Sequence, residues 1–164
     1  MPRPLSLLLP GACLALGLGA ALFASPAQAQ SEELYTLETT CSLRGGAAQP
    51  CVVEAFEEEN FTTYRHRIGT VTETIRIADN PVRMGRLDPA TRSWLYLSSA
   101  AVQFSTNTIC FNGRDLCVVN PNYLNSIREE RPEAMDGRDL VRVLFADNGR
   151  VKLACYDEGC EELQ

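Results

Sequence analysis

Thr62-Thr63-Tyr64-Arg65-His66-Arg67-Ile68-Gly69-Thr70-Val71-Thr72-Glu73-Thr74-Ile75-Arg76-Ile77 decides how this chain of 164 residues folds. Gly69 tolerates the positive φ demanded by the first central position of a type II′ turn, so Gly69-Thr70 predicts a two-residue hairpin loop. That register sets Ile68 opposite Val71, His66 opposite Glu73 and Tyr64 opposite Ile75. Side chains alternate across a strand. One face then carries Tyr64, His66, Ile68, Val71, Glu73, Ile75 and Ile77, and the other carries Thr63, Arg65, Arg67, Thr72, Thr74 and Arg76. The first is expected to face the core, leaving the arginine and threonine face open to water or a ligand.

Outward from this hairpin, period-two patterns and turn residues recur every 8 to 12 residues, the pattern of an antiparallel all-β chain. Strands are expected at 34–40, 51–56, 61–68, 71–78, 82–87, 93–98, 101–110, 116–119, 139–146 and 150–156. Within 88–104, Trp94, Leu97, Ala101 and Phe104 also fall near helical spacing, but Asp88-Pro89-Ala90-Thr91 makes a good turn into a strand, and strand is the reading adopted. One helix is expected at 121–129. There Asn120-Pro121 supplies a cap and a proline at the first helical position, Tyr123, Leu124 and Ile127 form an apolar face, and Pro132 is expected to stop the run. Three Gly-Arg turns, at Asn112-Gly113-Arg114, Asp136-Gly137-Arg138 and Asn148-Gly149-Arg150, each feed a following strand and are read as repeated turn chemistry, not as a structural repeat.

Six of the seven cysteines lie beyond Ala29 and form close couples: Cys41/Cys51, Cys110/Cys117 and Cys155/Cys160. The spacings are C-x9-C, C-x6-C and C-x4-C, and a single histidine cannot complete the usual Cys/His zinc set. Neither a metal nor a cofactor is expected. Six cysteines allow fifteen pairings, and local pairing is favoured because each couple brackets a turn. For Cys110 to face Cys117, the loop must be Asn112-Gly113-Arg114-Asp115, closed by Phe111 and Leu116. Loops this short contribute about 2 to 3 kcal/mol each when closed by a disulfide.

The start of the chain resembles an export signal. Met1–Arg3 is positive, 5–23 is almost wholly apolar, and Ala27-Gln28-Ala29 is a small-x-small cleavage pattern. A retained anchor and lipidation at Cys13 are the competing readings. Pro10 and the cleavage pattern oppose the first, and Pro10-Gly11-Ala12 is a poor lipobox. Residues 1–29 are thus expected to be removed and 30–164 to form a single disulfide-stapled domain, periplasmic or extracellular and bacterial, with no membrane span.

Residues 30–164 keep 14 Lys+Arg against 21 Asp+Glu, a net of −7, which argues against nucleic acid as a partner. The charge is uneven: 61–92 carries six arginines against three acids, whereas 30–60 and 129–164 are acidic. Either the acidic ends fold back over the basic middle or an arginine strip stays open.

Chemistry-bearing residues are few. His66 is the only histidine, with Glu73 as its expected cross-strand neighbour, and no nucleophile elbow is present. Glu57-Glu58-Glu59 and Glu161-Glu162 sit beside turns or the terminus, where charge runs solvate ends. Asn60-Phe61-Thr62 is a formal glycosylation sequon that a bacterial export route would not use. Asp157-Glu158-Gly159 is acidic without the ligand spacing of a calcium loop.

The reading is therefore a mainly β, single-domain antiparallel β-barrel or β-sandwich with one short helix. It is expected to be a non-catalytic binding module of recognition or inhibitor type, with Arg65, Arg67 and Arg76 flanked by Thr72 and Thr74 as the site. The expected partner is an acidic protein, a polysaccharide or a small anion. The alternatives are a small secreted hydrolase using His66/Glu73 or a carboxylate pair, and a structural component of the envelope.

Overall fold

The computed structural model describes residues 31–163; the expected signal peptide lies outside the described residues. The chain runs β1 (Glu32–Leu43), β2 (Gln49–Glu58), β3 (Phe61–Ile68), β4 (Val71–Asp79), β5 (Val82–Leu87), β6 (Trp94–Tyr96) and β7 (Ser99–Gln103). It continues through β8 (Thr108–Phe111), β9 (Leu116–Val119), α1 (Pro121–Glu130), α2 (Pro132–Met135), β10 (Leu140–Phe145), β11 (Val151–Tyr156) and β12 (Gly159–Glu162). Every strand pairing is antiparallel, in one ladder ordered β12-β11-β10-β7-β8-β9-β1-β2-β3-β4-β5-β6.

The deciding hairpin has the expected register, with Ile68 opposite Val71, His66 opposite Glu73 and Tyr64 opposite Ile75. Gly69 takes φ +58, as its turn position requires.

Laid flat, twelve strands would span more than about 50 Å. Yet Val53, Ile77, Met84, Val102, Ile109 and Val141 belong to one buried cluster, so the sheet must curl around a shared core. The chain itself helps to enforce this. β6 ends the ladder, but only Leu97 and Ser98 separate it from β7 on the other side. The Leu97 amide donates to the Met84 carbonyl (3.0 Å) and the Phe145 amide to the Ser98 carbonyl (2.9 Å), so one bent segment ties β5 to the β7–β10 side. A half-barrel results. Helix α1 packs onto it through Tyr123 and Leu124, both buried, and Asn120 caps it by accepting from the Tyr123 amide at 3.1 Å.

All three disulfides are the expected local ones. Cys110 sits directly opposite Cys117 with Phe111 opposite Leu116, and Cys155 directly opposite Cys160. Cys41–Cys51 bridges diagonally across β1 and β2 and lies inside the core.

Several expectations need correction. The strand expected at 101–110 is two strands, because Phe104–Thr106 makes a single 3₁₀ turn and Asn107 turns left-handed (φ 50), folding β8 back against β7. Helix α1 ends at Glu130, just before Pro132 as expected, but Pro132 also opens a second short helix, α2, since proline suits a first helical turn as well as a break. The acidic end 159–162 pairs with β11 as β12, tethered by Cys155–Cys160. The expected faces also blur at both ends of the hairpin. Thr63 is buried between Phe56 and Arg76 in the cross-strand row, while Val71, assigned to the core, is 41% exposed.

Candidate functional site

The outward face of β2–β5 forms a grid of cross-strand rows. One row is Val52–Arg67–Thr72, the next is Glu54–Arg65–Thr74, and the third is Phe56–Thr63–Arg76–Gly85. Glu54 sits between two arginines. Its carboxylate forms an ion pair with Arg67 Nη1 at 3.0 Å and accepts from Arg65 Nη1 at 3.5 Å, and the guanidinium of Arg65 stacks 5.1 Å from the Phe56 ring centroid. The two arginine side chains remain 48% and 51% exposed, against 16% for Glu54. Each guanidinium has five N–H donors, so most still point to solvent after the contact with Glu54 is made. The carboxylate fixes the pair in place and cancels only one of its two charges.

Arg76 is placed differently. It leans across Gly85, whose missing Cβ leaves room beside Arg76 Nε and Cγ, and it lies between Phe61 (4.6 Å) and Trp94 (4.3 Å). Burial in this sandwich lowers its guanidinium pKa from the ordinary value. Thr72 is exposed opposite Arg67, and Thr74 is half-buried opposite Arg65. The expected five residues thus divide. Arg65, Arg67, Thr72 and Thr74 form two adjacent rows, whereas Arg76 is held by aromatic rings one row away. Glu54, Phe56, Phe61 and Trp94 were not anticipated. Carrying the hairpin register one strand back, through the two-residue turn Glu59-Asn60, would have set Glu54 opposite Arg65 and Phe56 opposite Thr63.

The charge asymmetry resolves in part. An acid of the 30–60 segment does neutralise the arginine face, through Glu54, but the acidic tail is engaged elsewhere. Asp157 accepts from the Asp139 and Leu140 amides, and Arg138 pairs with Glu158 at 3.4 Å. Asp139 accepts from the Ser105 amide and hydroxyl, which lowers its carboxyl pKa.

His66 is 1% exposed, edge-on to Phe111, and its Nδ1 lies 3.2 Å from the Glu73 backbone carbonyl. Glu73 is the cross-strand neighbour as expected, but His66 meets its main-chain carbonyl and not its carboxylate, through the Nδ1–H tautomer. Desolvation pulls the imidazole pKa from 6.5 down to about 4, despite the opposing carbonyl. The unfolded chain takes up this proton near pH 6.5 and the folded one resists it until about 4. Stability from this group is complete above pH 6.5, falls as pH drops through that window by up to roughly 3 kcal/mol, and is flat below it. Urea midpoints at pH 7.5, 5.5 and 4.5 should show this slope in the native protein, and subtracting the profile of His66→Gln isolates it from the carboxylates.

No family model, curated protein or solved structure matches this chain.

Proposed function

We propose that this protein is an exported recognition module that binds an acidic, carboxylate-bearing protein partner through Arg65 and Arg67. The reading rests on one observation above all: two half-exposed guanidiniums are held side by side by a carboxylate with little exposure of its own. Holding the donors before the partner arrives reduces the ordering cost of binding, and the planar arginine fork suits bidentate contact with carboxylates. The Thr72 hydroxyl and the edge of Phe56 extend the same surface. Export is supported by the apolar start of the chain and by three disulfides, which belong with an oxidising compartment. No helix among the described residues is long and apolar enough to cross a membrane.

Retention on a polyglutamate resin tests the reading. The native protein should elute at higher salt than Arg65→Glu/Arg67→Glu, with at least about a tenfold difference in affinity, because charge-assisted bonds are lost and repulsion is added. Equal retention of the two proteins contradicts it.

A second reading, an envelope structural component, draws on the end strand β6, where Leu95 and Tyr96 are 46% and 48% exposed. It predicts self-association on size exclusion, abolished by Leu95→Lys.

A further inference from the structure

The residues that departed from the expected core face lie together. Val71 and Glu73 sit on the concave side of β4, and with Ile75 they line an open mouth of about 400 Å³ at one end of the half-barrel. Its floor is apolar, made by Leu43, Leu97, Phe111 and Leu116, while Arg44, Arg86, Glu73 and Asp115 converge around it. A space of this size, with an apolar floor and a few convergent polar groups, has the general form of a small-molecule site.

The four charges carry the specificity. Arg86 lies directly opposite Ile75, so it projects, part-buried, from the same concave face as the core. Among the described residues the ion pairs are Arg65–Glu54, Arg67–Glu54 and Arg138–Glu158, and none of these four side chains is in them. None of the four takes part in a side-chain hydrogen bond either. Two cations and two carboxylates face one cavity without cancelling each other in pairs.

The rim at Arg44 is held in place by its backbone. Arg44 is a non-glycine residue with φ 51, followed by Gly45 at φ 69, and both amides are held by the facing loop, donating to the Asp115 carbonyl (2.8 Å) and the Arg114 carbonyl (2.9 Å). Arg44 and Gly45 are the central residues of a tight turn closed by the Gly46 amide donating to the Leu43 carbonyl at 2.8 Å, and this turn requires positive φ at both. The turn and the two bonds to the facing loop together hold Arg44 at the rim of the mouth.

We infer that this mouth binds a small zwitterion with an apolar side chain, a free apolar α-amino acid or a whole dipeptide with both termini free. The ligand carboxylate is taken by Arg44 and Arg86, its ammonium by Glu73 and Asp115, and its side chain lies on Leu97 and Phe111. A simple anion would meet two carboxylates and a simple cation two arginines, so only a ligand carrying both charges satisfies all four groups. This site is on the opposite side of the sheet from Arg65 and Arg67 and is independent of them.

Calorimetric titration of the purified protein with L-leucine, leucyl-glycine, 4-methylpentanoate and isoamylamine tests the inference. L-leucine or leucyl-glycine should bind, the two singly charged analogues at least about tenfold more weakly, and both Arg86→Gln and Glu73→Gln should weaken zwitterion binding by about tenfold or more while Lys152→Ala does not. Thermal melts of the variants verify that they fold; a variant that does not is replaced by Arg44→Gln or Asp115→Asn, on the exposed rim. Binding of leucine alone identifies the free amino acid, and binding of leucyl-glycine alone the wider charge separation of a dipeptide. The inference fails if neither zwitterion binds at millimolar concentration, if a singly charged analogue binds as well, or if the folded variants bind like the native protein.

Discussion

Replacing Cys41 and Cys51 by alanine is expected to lower stability by roughly 3 kcal/mol, with a fall in Tm of about 10 °C. The bridge closes a ten-residue separation between β1 and β2, and Cys41 also lies opposite Val118 in the β9–β1 pairing that joins the two halves of the ladder. Both cysteines are also core residues, at 1% and 5% exposure, so their removal loosens packing as well as the unfolded-chain constraint. Cys155→Ala/Cys160→Ala is the comparison. That bridge tethers an end strand whose four residues are all exposed, and it closes a separation of only five. Its loss should fray β12 and leave the main transition nearly in place. Equal losses from the two double variants, measured by urea denaturation, would overturn this ranking.

Leu124→Ala is expected to cost about 2–5 kcal/mol, the range for a buried leucine truncated in a site that cannot collapse. Leu124 is fully buried and, with Tyr123, is how the short helix α1 attaches to the sheet. A ten-residue helix is marginal alone in water, so its order depends on that attachment. Its cap residue Asn120 also donates from Nδ2 to the Tyr35 hydroxyl at 3.0 Å, a part-buried contact that links the helix start to β1. The exposed neighbour Asn125→Ala should change stability by less than about 0.5 kcal/mol. Thermal melts of the two variants, with helix content followed by circular dichroism, give the comparison directly.

What was legible in the sequence was mostly local. A two-residue turn with glycine first fixes the register of its hairpin, and the pairing of Ile68, His66 and Tyr64 followed from it. Asn120-Pro121 and the cysteine couples are equally short-range signals, and each proved correct. Curvature was not legible. The concave side of β4 changes from buried Ile75 and Ile77 to open Glu73 and Val71 because the half-barrel has an end, and alternation cannot say where along a strand that end falls. Nor could it place Trp94 against Arg76, since that contact depends on β6 following β5 at the edge of the ladder. Asn107 illustrates a third limit, a left-handed turn without glycine that divides an apparently continuous strand.

The proposed site was half legible. Arg65, Arg67, Thr72 and Thr74 share a face because of the hairpin register alone, but the carboxylate that holds the two arginines comes from β2. Arg76 fitted the same alternation, yet nearby aromatic rings take it out of the cluster.

The central claim is that Arg65 and Arg67 are the contact point for an acidic partner. The most direct measurement is a titration of the isotopically labelled protein with polyglutamate, followed through arginine Nε–H and backbone amide NMR signals. Saturable shifts are expected at Arg65, Arg67, Thr72 and Thr74, with Arg76 and the mouth residues Arg44 and Arg86 little changed. Shifts centred on any other arginine, or no saturable shift at Arg65 and Arg67, would contradict it.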